Sequence, residues 1–82
     1  MENEQIKSEV RKYINDQFSE SLNSKIEDNT PLISGGIIDS ISTLKMVEFL
    51  ENKFNVEFQP HDVDRENLDT IDLITDFVQS KM

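Results

Sequence analysis

Apolar residues recur along positions 4–18 at Ile6, Val10, Tyr13, Ile14 and Phe18, with Lys7, Glu9, Arg11, Lys12 and Asn15 between them. These spacings put one apolar stripe on a helix and leave the opposite face solvated. A second helix is predicted over 40–54, "SISTLKMVEFLENKF", where Leu44, Val47, Leu50 and Phe54 keep helical spacing beside Met46 and Phe49. A third covers 70–80 through Ile71, Ile74, Phe77 and Val78. Asp39 or Ser40 caps the second of these helices, and Asp69 or Thr70 the last, because a short side-chain oxygen can accept from a free N–H of the first turn. No stretch alternates with a period of two, so no sheet is predicted.

The intervening segments read differently. Residues 19–39, "SESLNSKIEDNTPLISGGIID", collect Ser, Asn, Asp, Pro31 and both glycines, which are turn and breaker residues. They also hold Leu22, Ile26, Leu32, Ile33, Ile37 and Ile38. A loop of this length in a compact domain is uncommon and often functional; its apolar residues predict a packed connection pinned across the bundle. In 55–69 the apolar residues are Val56, Phe58, Val63 and Leu68. Pro60 disfavours helix at Gln59, and a short helical turn is expected around 61–66. The expected fold is all-α: a small four-helix bundle of three main helices and one short one, with a long loop between the first two. Residues 1–82 form one domain, and with no second apolar stripe on any helix the expected state is a monomer.

Composition narrows the partners. The 82 residues carry a net charge of −9 and include no cysteine. Nucleic acid and anionic membranes need basic patches, so both are poor partners, whereas basic protein surfaces are favoured. No cysteine means no disulfide, no thiolate ligand and no Cys nucleophile. The start "MENEQIKSEV" lacks the basic flank and apolar run of a signal peptide, and no run approaches spanning length, so neither export nor membrane insertion is expected and the location read is cytoplasmic.

Catalysis finds little support. Ser40, the single histidine His61 and many carboxylates are present, but there is no G-x-S-x-G elbow, and a bundle of this size has little interior to spare for a substrate pocket. The chain is read as no enzyme, and His61 as a surface residue opening a short helix. "DVDRENLDTIDL", from Asp62, begins like a calcium loop, but its sixth position is Asn67 rather than Gly and its twelfth is Leu73 rather than Glu; no metal site is assigned. Tyr13 and the five phenylalanines fall mostly on the stripes and are assigned to core packing.

"GIIDSI", residues 36–41, is left. Ser40 can be a plain helix cap or an attachment point. A phosphate ester there would meet the free N–H groups and positive dipole end of the second helix. Gly35 and Gly36 would let the loop backbone pass close by. Asp39 beside the phosphate is repulsive unless a cation bridges them, which suits a Mg²⁺-dependent modifying enzyme.

The order of helix, long loop, D-S-I, amphipathic helix, short turn and final helix resembles the acyl carrier protein family. "GGIIDSISTLKMVEFLENKF" looks like that family's D-S-[LI] site and second helix, and "NVEFQPHDVDRENLDTIDLITDFV" resembles its closing pattern, in which N-[LF]-x-T-[IV] leads into the last helix. The likeness spans roughly residues 4–80. It implies a 4′-phosphopantetheine arm on Ser40, next to Asp39, installed from coenzyme A by a phosphopantetheinyl transferase (a holo-synthase). Acyl or aminoacyl intermediates would ride on the arm as thioesters and be presented to loading and transfer enzymes. It also implies a partner face of Ile41, Leu44, Lys45, Glu48 and Glu51; for Ile41 and Leu44, core packing is an equally open reading.

The sequence departs from the fatty-acid-synthesis type. Ser42 follows Ile41, and residues 40–54 carry two Lys and two Glu, so this helix is near neutral while the acids gather in 2–9, 16–28 and 57–72. That points to specialised aminoacyl, nonribosomal-peptide or polyketide chemistry rather than housekeeping fatty acid synthesis. The alternative is a non-carrying helical interaction module that kept the fold.

Overall fold

The computed structural model describes residues 3–18 and 26–82, and these form an all-helical bundle: α1 (Asn3–Phe18), α2 (Ser40–Phe54), α3 (Arg65–Leu68) and α4 (Ile71–Lys81), with a 3-10 turn at Pro60–Asp62. No strand occurs among the described residues. The predicted stripes are the faces that pack, except at Leu44, which falls on the second stripe and is exposed. Ile6, Val10 and Ile14 of α1 are buried and lie along α4, which contributes Ile71, Ile74 and Val78. From α2 come Met46, Val47, Leu50 and Phe54, and from the connections Ile26, Leu32, Ile38, Phe58 and Leu68. Fully burying one such side chain contributes about 1.5–3 kcal/mol, whereas an exposed ion pair contributes about 0–1. The stripes therefore hold the bundle, and the charges adjust it.

Tyr13 and Phe49 are half-buried and stack at a centroid distance of 4.2 Å, joining α1 to α2. The part of the first loop that the structure describes is a packed connection, as its apolar residues predicted: Ile26, Leu32 and Ile38 are buried, and Ile33 and Ile37 partly so. Leu22 lies outside the described residues. Charges fix where the loop returns to the bundle. Lys7 Nζ lies 3.3 Å from an Asp28 carboxylate oxygen and 2.9 Å from one of Asp72. Arg11 pairs with Asp28 and donates to the Ile26 carbonyl at 3.0 Å. The Asp72 N–H donates to the Asp28 carbonyl at 3.1 Å, which ties the loop to α4 as well.

The single short turn expected at 61–66 is two pieces. Pro60–Asp62 forms the 3-10 turn; Val63 leaves helical geometry at φ −88°, ψ 79°; Asp64 is extended, and α3 starts after it. Both pieces need a cap, and the two aspartates supply them. Asp62 accepts from the Gln59 N–H at 2.9 Å, and Asp64 from the Asn67 N–H at 3.1 Å. Asp62 is buried and pairs with Lys81 Nζ at 2.7 Å, so the end of α4 closes over the turn. The Lys81 bond, helped by the Gln59 N–H, holds the Asp62 carboxyl below the usual carboxylate range. These two acids of the calcium-like stretch thus serve the backbone and Lys81. His61 is exposed beside them, as expected.

Candidate functional site

The site is built at the junction of the first loop and α2. The Leu32 carbonyl accepts from both the Ile37 and Ile38 N–H groups at 2.9 Å, which folds residues 32–38 into a tight turn. Gly36 lies at φ +81°, a conformation costly to any residue with a Cβ. Gly35 is required for a different reason: a Cβ there would overlap the Pro31 carbonyl oxygen. Of the two glycines, Gly35 thus serves a close backbone approach, to Pro31, whereas Gly36 has open space around it and serves the positive φ.

One residue far along the chain holds this turn in place. The Asp69 carboxylate accepts from the Ile33 and Ser34 N–H groups, each at 2.9 Å, and from the Ser34 hydroxyl at 2.7 Å. The Asp69 carbonyl accepts from the Leu32 N–H at 2.6 Å. Partial burial pushes the Asp69 carboxyl up, but the Ser34 and Ile33 bonds and the charge of Arg65 outweigh it and leave the group below its ordinary range. Asp69 was a candidate cap for the last helix. Thr70 is that cap instead, accepting from the Leu73 N–H at 3.0 Å, and Asp69 is free to hold the loop.

The same division of labour occurs at α2. Asp39 is the N-cap: its backbone is extended and its carboxylate accepts from the Ser42 N–H at 2.8 Å. Its carbonyl accepts from the Thr43 N–H at 2.9 Å and the Thr43 hydroxyl at 2.8 Å. The Ser42 bonds above all hold the Asp39 carboxyl below the usual range against the opposing effect of desolvation, with smaller help from the Ile41 N–H and the Lys45 charge. Capping therefore does not require Ser40, which is the exposed first residue of α2. Ser40 borders a surface groove of about 320 Å³, whose other walls are Ile33, Thr43, Leu44, Val63, Asp64 and Arg65.

The residues expected on the partner face separate. Ile41 and Leu44 are 68% and 60% exposed, so their stripe-like spacing does not reflect burial. Lys45 and Glu48 are exposed beside them. Glu51 is half-buried and accepts from the Phe58 N–H at 2.9 Å, which fixes the chain leaving α2. Asn55, in the left-handed region at φ 54°, ends the helix just before that contact. Two residues of the site had no distinct signal in the sequence. Asp69 read only as a cap, and Arg65 was given no role, because the loop residues that Asp69 holds and the Ser40 side of the groove that Arg65 borders lie more than twenty residues away.

No family model matches the chain. It is 30% identical over 69 residues to the D-alanyl carrier protein of Streptococcus mutans, covering 84% of this chain and 85% of that one. It is 27% identical over 73 residues to the D-alanyl carrier protein of Streptococcus sanguinis, covering 89% and 90%, and 26% identical over 73 residues to that of Streptococcus gordonii, with the same coverage. A solved chain described under "Crystal structure of FAD-dependent dehydrogenase" superimposes with a TM-score of 0.73 at 22% identity, covering 84% of this chain and 97% of that one; this likeness bears on the fold alone. The bundle is thus of the small carrier class, and the chain belongs to the acyl carrier protein family, as these D-alanyl carrier proteins do. It is a carrier and not an enzyme. The family implies a covalent phosphopantetheine group and dealings with a phosphopantetheinyl transferase and with loading and transfer enzymes. No helix among the described residues is long and apolar enough to cross a membrane.

Proposed function

We propose that Ser40 bears the 4′-phosphopantetheine arm and that the protein carries an aminoacyl group on it, of the D-alanyl kind for which its relatives are named. The observation that carries the site is the division between Asp39, which caps α2, and Ser40, which is left exposed at the groove. The surroundings fit the group. Ile33, Leu44 and Val63 offer apolar walls to an arm, and Arg65 offers a positive charge. When bound, the arm supplies a terminal thiol that holds cargo as a thioester. The protein's own part is presentation: a rigid turn, pinned by Asp69, delivers Ser40 at the start of a capped helix.

The names of the relatives support an aminoacyl cargo, and so does the near-neutral α2 with its exposed Lys45. Ile41 and Leu44 form a small apolar contact for the transferase and loading enzyme, with Lys45 and Glu48 steering the encounter. Glu51 belongs to the fold more than to this face, since its carboxylate holds Phe58.

The test is intact mass before and after incubation with coenzyme A, Mg²⁺ and a broad-specificity phosphopantetheinyl transferase. In that transfer the Ser40 oxygen bonds to phosphorus, the pyrophosphate bond of coenzyme A breaks, 3′,5′-ADP leaves and the hydroxyl proton passes to the transferase. The expected result is the gain of one arm, mapped to the peptide containing Ser40 and absent in Ser40→Ala. An arm on another residue, or none on folded and initially unmodified protein, would refute the assignment. The holo protein is then offered D-alanine, other amino acids and fatty acids with candidate ligases; acceptance of fatty acids alone would refute the cargo class.

A further inference from the structure

An anion on Ser40 raises an electrostatic problem that the fold itself has to solve. The dipole end of α2 is already occupied by a negative charge, because the Asp39 carboxylate accepts from Ser42. A second carboxylate, that of Asp64, also borders the groove and is held by the Asn67 N–H. A phosphodiester esterified to Ser40 would add one more negative charge next in sequence to Asp39 and on the groove that Asp64 borders, in a chain whose net charge is already −9. Like charges at this range repel.

Arg65 is the cation available there. It borders the groove with Ser40 and is exposed. Most other cations among the described residues are engaged elsewhere: Lys7 and Arg11 with Asp28, Lys53 with Glu9, and Lys81 with Asp62. Arg65 forms no ion pair among the described residues, although Asp69 feels its charge. Lys45, the other unpaired cation near Ser40, faces a different recess, lined by Tyr13, Gln17, Phe18 and Ser42. Position selects Arg65, and so does chemistry, since a guanidinium matches two phosphate oxygens with two parallel N–H donors.

We infer that Arg65 holds the phosphodiester of the arm across the groove from Ser40, anchoring the root of the arm against Leu44 and Val63. This inference rests on the attachment reading above and adds to it a second, non-covalent point of contact.

The experiment compares apo and holo protein by NMR, with arm addition checked first by mass. In the wild type, the Arg65 Nε–Hε resonance is expected to shift on going from apo to holo. The ³¹P resonance of the holo protein is expected to move in Arg65→Gln, to be restored in part in Arg65→Lys, and to stay put in Lys12→Gln, a control for loss of charge elsewhere. Raising salt to about 1 M, where the Debye length is about 3 Å, is expected to bring the wild-type ³¹P resonance toward that of Arg65→Gln. A protein that gains no arm overturns the attachment reading and this one with it. A protein that gains the arm while the Arg65 Nε–Hε resonance is unchanged, or while Arg65→Gln and Lys12→Gln leave ³¹P alike, overturns this inference alone.

Discussion

Asp69 offers the most searching test of how the loop is held, because one side chain accepts three hydrogen bonds from residues 35–36 positions earlier. Asp69→Ala deletes all three and leaves the Ile33 N–H, which is partly buried, without an acceptor. A bond to a charged group is worth about 1.5–3 kcal/mol when shielded, but the two Ser34 bonds are exposed and water replaces much of each. Taking about 1.5 kcal/mol for the Ile33 bond and about 0.5 for each Ser34 bond gives an expected loss of about 2.5 kcal/mol. For a chain of this size that lowers Tm by about 10–20 °C. Asp69→Asn keeps an oxygen for both N–H groups and can return a donor to the Ser34 hydroxyl, so its loss is about 1 kcal/mol.

The assay is urea unfolding of apo protein followed by circular dichroism, repeated across pH. Asp69 has a lowered folded-state pKa, so its contribution is fully present above the unfolded value of about 3.9 and disappears as pH falls through the folded value. The gap between wild type and Asp69→Ala is therefore widest at neutral pH and closes in acid. A variant within about 0.5 kcal/mol of wild type at neutral pH, or a gap that widens in acid, would refute the role given to this carboxylate.

Two further predictions use the same unfolding assay. Glu51→Ala is expected to cost about 1–2 kcal/mol because it strips the acceptor from the Phe58 N–H, whereas Glu48→Ala, exposed on the same helix, stays within about 0.5; equal effects would contradict the separation of these two residues. Gly35→Ala is expected to destabilise by about 2 kcal/mol or more, since the new methyl overlaps the Pro31 carbonyl, and to speed amide hydrogen exchange at Ile37 and Ile38, whose N–H groups bond to the Leu32 carbonyl; unchanged exchange there would show that the turn does not depend on this close approach.

Much of the fold is written locally. Ile6, Val10 and Ile14 form a stripe whatever they pack against, and the helix expected at 40–54 is the α2 observed. Helical periodicity repeats every few residues, so a short window suffices to read it. The split between the 3-10 turn and α3 was less legible, because Asp62 and Asp64 look alike as caps and only the closure of Lys81 onto Asp62 assigns them different work.

The sequence by itself determined the all-helical class, the apolar stripes, the glycine-bearing turn and the serine at its end, all of which depend on the order of neighbouring residues. Tertiary structure alone decided which polar residue does which task. Asp39 rather than Ser40 caps α2, and Thr70 rather than Asp69 caps α4. Ile41 and Leu44 face solvent although their spacing would equally suit a core. Arg65 and Ser40 border one groove, which exists only once α2 and α3 are folded beside the loop. The physical reason is range. A cap or a stripe is set by residues within a turn or two, whereas a free hydroxyl, an available cation and an exposed apolar pair are defined by what the rest of the chain brings up to them or leaves uncovered.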